Sequence, residues 1–322
     1  MNSTSSSDDL ARHFAKPIVP ALVGPTGVGK TTAALELIHE FDLEIISCDS
    51  RQVYKYLNIG TAKPGPEELQ GRPYHLIDYI EPSQLYSAEL YRRDAVVLIA
   101  ELYDRGKMPL LVGGAGLYLQ ALSTGFFATP DPDLSYKEEL KNLSNDELYR
   151  LLEKSDPATA KSILDRNRAR MLRALEIIHL TGMSKEELKS RGEYPEHNFE
   201  VIPILLNYSR EKLYQIINAR VDKMIEAGLF EEVVGLSDRG FAQSPVLQST
   251  LGYRESLAML KGEISKNRCV ELIKQGHRNY AKRQLTWFRR IENLIEIRKY
   301  SAGWRKKLSD VINKFNLDSQ TS

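Results

Sequence analysis

The sequence predicts an α/β protein, a parallel β-sheet flanked by helices and interrupted once by an all-helical insertion. Three observations predict it. Short apolar runs that do not alternate with polar residues, such as "IVPALV" (Ile18 to Val23) and "LEIISC" (Leu43 to Cys48), are what strands buried on both faces require. Segments of helical period separate these runs, which is the signature of βα units. From about Thr129 to Asn198 the strand signals vanish and helical segments take their place.

Taken in order, Ile18 to Val23 is the first strand, and helical spacing begins after Lys30 with Ala33, Ala34, Leu37 and Ile38 on one face. "LEIISC" is the second strand and ends at Asp49-Ser50. "SAELYRRDAVVLIAELYDRGK" follows with helical period, placing Ala88, Tyr91, Ala95, Leu98 and Leu102 on one side. "MPLLVGG" is a third strand, and "AGLYLQALSTG" the helix after it. The insertion opens on "TPDPDLS" and closes on "RGEYPEHN", both rich in turn formers, with helices in "NDELYRLLEKSD" and "RARMLRALEIIHLTG" between them. "VIPILLNYS" resumes the sheet and leads into the helix "REKLYQIINARVDKMIEAG"; "WRKKLSDVINKF" is a terminal helix with no chemistry of its own. The expected division is a disordered tail over 1–17, a first core segment over 18–128, a helical insertion over 129–198 and a second core segment over 199–322.

Composition narrows the function. At 42% hydrophobic and 27% charged, with no apolar run long enough to span a bilayer, the chain reads as globular and free of the membrane. Two cysteines, Cys48 and Cys269, exclude a disulfide framework and a four-cysteine zinc site. The polar start "MNSTSSSDDL" is not a secretory signal, so a reducing, cytoplasmic setting is expected. A net charge of +1 is uninformative, but the basic residues cluster. "DRNRARMLRALE" and "HRNYAKRQLTWFRR" combine cations with, in the second, aromatic rings, a pattern that tracks phosphates and stacks on bases. A solvated helix face is the plain alternative for either run.

The chemistry starts at Gly24-Pro25-Thr26-Gly27-Val28-Gly29-Lys30-Thr31, which matches G-x-x-x-x-G-K-[ST] between a strand and a helix. Backbone N–H groups of such a loop converge on phosphate oxygens at a helix N-terminus. Lys30 adds a full charge, and the Thr31 hydroxyl is placed for Mg²⁺. The fold class is therefore P-loop NTPase-like, yet the loop asks only for a Mg²⁺-bound di- or triphosphate. Asp49 lies at the carboxyl end of the next strand, where open α/β sheets hold their ligands. It fits a water-mediated Mg²⁺ partner in an NTPase, a proton acceptor in a transferase, or a simple cap for the following turn.

In order along the chain, "GPTGVGKT", "DSRQVYKYLNIGTAKP", "YHLIDYIEPSQLYSAELYRRDA", "LLVGGAGLYLQAL", "RARMLRALEIIHLTG", "RVDKMIEAGLFEEV", "LGYRE" and "YAKRQLTWFR" resemble the tRNA dimethylallyltransferase (tRNA isopentenyltransferase) family of the bacterial type. The resemblance runs from about Ile18 to Arg290. It implies transfer of the dimethylallyl group of dimethylallyl diphosphate to N6 of the tRNA adenosine 3′ of the anticodon, position 37. It implies that Gly24 to Thr31 hold diphosphate and Mg²⁺, that Asp49 is the general base, and that Arg220 neutralises the leaving group. By the same resemblance Asp49, Ser50, Arg51, Gln52, Ala115, Arg170, Arg173, Gly252, Tyr253, Arg254, Arg278, Lys282, Arg283 and Gln284 lie in blocks that contact tRNA. The partners it implies are the tRNA anticodon stem-loop and dimethylallyl diphosphate, with the chain acting as a monomer.

Two positions depart from the family pattern. Ala115 stands where "VGGTGLY" usually has threonine, and His277-Arg278 where Thr-Arg is usual. Losing a threonine donor beside the reacting atoms costs on the order of a hundredfold in rate unless Tyr118, Thr26 or a water replaces it; Thr26 accordingly joins Asp49 and Arg220 as a candidate catalytic residue. Competing readings are a P-loop kinase of a small metabolite using ATP, a prenyltransferase of free adenine nucleotides, and a non-catalytic RNA-binding protein. The kinase lacks an apolar run ending in a second aspartate, and neither small-molecule enzyme needs two basic segments.

Overall fold

A computed structural model of the chain describes residues 16–125, 133–191 and 197–320. Residues 1–15 of the expected tail and parts of both turn-rich borders of the insertion lie outside these residues. Strands β1 (Ile18–Val23) and β2 (Leu43–Cys48) are joined through helix α1 (Lys30–Leu37). After β2 come the short α2 (Pro66–Leu69), β3 (Tyr74–His75), α3 (Ala88–Asp104), β4 (Met108–Gly113) and α4 (Gly116–Ser123). The next helices are α5 (Leu134–Lys141), α6 (Asn145–Ser155), α7 (Pro157–Ser162), α8 (Arg168–Thr181) and α9 (Lys185–Ser190). The sheet resumes with β5 (Glu200–Asn207), then α10 (Arg210–Glu226), α11 (Leu229–Asp238), α12 (Pro245–Ser249), α13 (Tyr253–Leu260), α14 (Lys266–Phe288), β6 (Ile295–Arg298) and α15 (Trp304–Gln320).

The strands form one sheet in the order β3-β2-β4-β1-β5-β6, with every pairing parallel. β1 sits at the centre, Ala21 in register with Leu111 on one side and Pro203 on the other. Because side chains alternate across a strand, Leu22, Leu110, Val112, Ile204 and Leu206 form one face. That face packs under Ala33 and Leu37 of α1 and under Leu308, Ile312 and Phe315 of α15. The parallel, doubly covered sheet is the expected one. β3 and β6 are additions, two and four residues long at the sheet edges, where no apolar run is needed to mark them. On α3 the buried residues are Ala88, Tyr91, Ala95, Ile99 and Leu102, so Ile99 takes the core place that spacing gave to Leu98.

The chain divides into two compact units, 1–123 with 197–322 and 124–196. Among its described residues the second unit is all helical. Leu140, Leu148, Leu152, Ile163, Met171 and Leu175 give it a core of its own. Ser144 and Glu147 cap α6 reciprocally, and Tyr136 stacks on His179 at 3.9 Å. None of the described helices is long and apolar enough to cross a membrane.

Candidate active site

The phosphate-loop sequence folds as its motif requires. Gly29 takes φ 79°, a left-handed conformation that admits glycine cheaply, and it turns the chain from the loop into α1. α1 carries no side-chain cap and no acidic residue in its first turn, which leaves its N-terminal N–H groups for another acceptor. Lys30 closes the loop on itself, Nζ donating to the carbonyls of Gly24 at 2.9 Å and Pro25 at 3.1 Å. Two braces reach the loop from far along the chain. Gln284 of α14 accepts the Thr26 N–H at 2.8 Å and donates to the Gly114 carbonyl at 2.8 Å. A Cβ at Gly114 would stand 2.2 Å from that amide nitrogen, so only glycine lets the brace pass. Lys299, just beyond β6, donates to the Val28 carbonyl at 3.1 Å.

A cavity of about 750 Å³ opens beside the loop, entirely within the first unit. Thr26, Gly27, Gly29, Lys30 and Thr31 line one part; Asp49, Ser50, Arg51 and Gln52 line another. Asp49 Oδ1 accepts the N–H groups of Arg51 at 2.8 Å and Gln52 at 3.3 Å, so it caps the turn after β2 and still faces the cavity. Arg220 crosses from α10: Nη1 donates to Thr26 Oγ1 at 3.0 Å and Nη2 to the Thr61 carbonyl at 3.2 Å, while its buried Nε has no partner. Arg254 and Arg283 are exposed at the surface and also line the cavity. Among the described residues, Asp49 and Glu68 are the only carboxylates that line it.

Other expected contacts are placed differently. Gln284 is 6% exposed with both ends of its amide bonded inside the protein, so it positions the loop from the cavity wall. Tyr253 is fully buried and donates its hydroxyl to Glu232 at 2.5 Å, and the Gly252 N–H goes to Glu255; both support the fold from beneath. Gln52 spends its Nε2 on the Thr61 and Ala62 carbonyls, fixing that loop. Ala115 is 9% exposed, its N–H donating to Cys48, and it is absent from the cavity wall. Arg278 ties α14 to α10 through Asn218 at 2.6 Å. Gly24, Pro25 and Val28 shape the loop without lining the cavity, and Lys282 is exposed outside it. Arg170 and Arg173 belong to the second unit; Arg170 is exposed and Arg173 pairs with the buried Glu176.

Among the cavity residues that the sequence did not single out are Tyr74, Thr61 and Tyr280, while His277, noted only as a departure from the family pattern, also lines it. Thr61 stood inside the quoted "NIGTAKP" and Tyr280 inside the basic-aromatic segment, so composition held a trace of each. Of the two side chains offered as substitutes for the threonine missing at 115, the structure separates one from the other. Tyr118 donates its hydroxyl to the Tyr86 carbonyl and stacks on Tyr91. Thr26 Oγ1 accepts from Arg220, which leaves its own proton for a ligand.

The site is electropositive and short of anions. Burial pushes the Lys30 ammonium down from 10.5 to about 8, an effect Asp49 opposes and Arg220 reinforces. Burial also lowers Arg220, with Asp49 opposing, and pushes the Cys48 thiol up to about 12. Tyr74, hydrogen-bonded to Thr31, is raised by burial. Removing cations from water is costly unless a counter-charge arrives, so the arrangement favours an anionic ligand.

A phosphate loop, an enclosed arginine and one carboxylate at the neighbouring strand end define an enzyme class, one that acts on a phosphorylated substrate. The IPP transferase family model matches residues 52–291. The tRNA dimethylallyltransferase of Shouchella clausii is 41% identical over 305 residues, 93% of this chain and 97% of that protein. That of Carboxydothermus hydrogenoformans is 43% identical over 84% of this chain and 88% of its own. The full-length tRNA isopentenylpyrophosphate transferase of Bacillus halodurans superimposes with a TM-score of 0.70 at 35% identity, covering 95% of this chain and 98% of its own. A eukaryotic dimethylallyltransferase acting on tRNA gives 0.78 at 28% identity, covering 93% and 79%. The chain belongs to the tRNA dimethylallyltransferase family and is a prenyltransferase.

Proposed function

We propose that the protein transfers the dimethylallyl group of dimethylallyl diphosphate to N6 of the adenosine 3′ of the anticodon in tRNA, at position 37. The observation that carries this reading is the shared cavity. Residues of the phosphate loop, Arg220, Asp49 and the exposed Arg254 and Arg283 all line it.

In the reaction the C1–O bond of the donor breaks and its electron pair leaves on the diphosphate. The N6 lone pair forms the new C1–N6 bond, and the amine proton passes to the Asp49 carboxylate. Charge grows on the departing oxygens, and the residues facing them are Lys30, Arg220 and the α1 N–H groups, already fixed in place. The Thr26 hydroxyl, oriented by Arg220, supplies the donor that Ala115 lacks. A tRNA base reaches such a cavity only when turned out of its stack. Exposed arginines at the cavity, with Arg170 on the second unit, hold the anticodon stem-loop backbone.

The donor set fits Mg²⁺ held chiefly by the diphosphate. Thr31 contributes a hard hydroxyl oxygen at the loop, and no group of three or more His, Cys, Asp or Glu that would make a separate cage occurs among the described residues. When bound, the ion supplies positive charge to the leaving group. The test is a transfer assay with Mg²⁺, unmodified tRNA and either labelled dimethylallyl diphosphate or labelled ATP. Label is expected to pass from the prenyl donor to tRNA; transfer from ATP to a metabolite, with none from the prenyl donor, would overturn the reading.

A further inference from the structure

α10 and α14 pack antiparallel through Leu213, Ile217 and Ala281. Their register is pinned twice, by Lys274 with Asp222 at 2.5 Å and by Arg278 with Asn218 at 2.6 Å. These ties set residue 220 opposite 276 and 277. At this point of the seam two buried polar atoms have no partner, Arg220 Nε and His277 Nε2. His277 is 8% exposed and lines the same cavity as Arg220.

Arg220 Nε–H can only donate, and it does not donate to His277. Leaving both groups buried and unbonded is unfavourable, and an oxygen acceptor between them would satisfy both. Resting on the prenyl-transfer reading above, we infer that His277 Nε2 and Arg220 Nε together bind one phosphate oxygen of the prenyl diphosphate, His277 supplying a donor at the position where the family usually has threonine. Burial, reinforced by the Arg220 charge, holds His277 down at about 4, so the imidazole is neutral and offers Nε2–H as a donor in one of its two tautomers. A neutral donor beside an arginine suits an anion without adding a second positive charge next to Arg220.

A phosphate oxygen of tRNA would present the same chemistry, so the experiment has two binding arms. Inorganic pyrophosphate with Mg²⁺, and separately an unmodified anticodon stem-loop RNA, are titrated calorimetrically into wild type, His277→Ala and His277→Gln. Thermal midpoints of the free proteins are measured alongside. Losing one hydrogen bond to a charged group is expected to weaken pyrophosphate about ten- to a hundredfold in His277→Ala. His277→Gln, whose Nε2 reaches the same place, recovers most of it, and RNA affinity stays within about twofold. Free His277→Gln melts close to wild type, whereas free His277→Ala melts lower because it leaves a cavity in place of a buried ring. Equal pyrophosphate affinity in wild type and His277→Ala overturns the inference while leaving the prenyl-transfer reading intact. Loss confined to RNA, or a lower melting midpoint with no loss of pyrophosphate, also overturns it. Failure of wild type itself to bind pyrophosphate overturns the prenyl-transfer reading, and the inference with it.

Discussion

Asp49 Oδ1 accepts two backbone N–H groups while the carboxylate faces the cavity, so Asp49→Ala would confuse a lost cap with a lost base. Asp49→Asn keeps an acceptor oxygen for the turn and removes the basicity. It is expected to melt within a degree or two of wild type and to bind the anticodon stem-loop normally, while kcat falls on the order of 10²–10⁴-fold. Turnover near the wild-type rate would remove Asp49 from the role of base. His277 gives a second prediction at this scale. Its pKa in the folded protein, about 4, lies below the ordinary 6.5. Between these values the unfolded chain binds the proton and the folded one does not, so stability is complete above about 6.5 and declines as pH falls toward 4. The full difference is on the order of 3 kcal/mol. Urea unfolding at pH 7 and pH 5 should therefore show a smaller loss for His277→Gln than for wild type.

The elements around the cavity are held by contacts between distant segments, and this is where the sequence was hardest to read. The phosphate loop was legible because one local motif sets both its backbone and its ligand chemistry. The interior strands were legible because burial on both faces leaves continuous apolar runs, whereas β3 and β6 at the edges carry no such mark. Gln284 could be noticed as part of a basic-aromatic block, but its role as a brace appears only once α14 is packed against the loop. Glu232 had no local signal at all. From α11 its carboxylate accepts the N–H groups of Asn58, Ile59 and Gly60 as well as the Tyr253 hydroxyl. The loop so held presents the Thr61 carbonyl to Arg220 and to Gln52. Glu232→Ala is expected to cost about 2–3 kcal/mol by leaving several donors unpaired, and Tyr253→Phe about 1 kcal/mol. Because Arg220 loses its fixed orientation in the first variant, pyrophosphate affinity should fall with stability. A Glu232→Ala protein that denaturant melts and calorimetry show to be unchanged in both would refute the clamp.

On the scale of the whole molecule, two units with separate cores share the work. The cavity beside the phosphate loop lies wholly within the first, whose sheet is sealed by α15 through Leu308, Ile312 and Phe315. The terminal helix, in which the sequence showed no chemistry, is thus structural, and Ile312→Ala should destabilise this unit by about 2–4 kcal/mol in chemical denaturation. The second unit has its own apolar centre and an exposed Arg170. If that unit serves only the nucleic acid, its substitutions must leave small-ligand binding alone. Arg170→Ala should weaken anticodon stem-loop binding a few-fold, lower the slope of log affinity against log salt by up to about one, and leave pyrophosphate affinity unchanged. The opposite pattern is expected for Lys30→Ala, which removes a charge from the phosphate loop: pyrophosphate binding collapses while the salt slope for RNA is retained. Calorimetric titrations of both variants with both ligands check the division directly. A common loss of both affinities in Arg170→Ala would mean that the two functions are not separated along the boundary between the units.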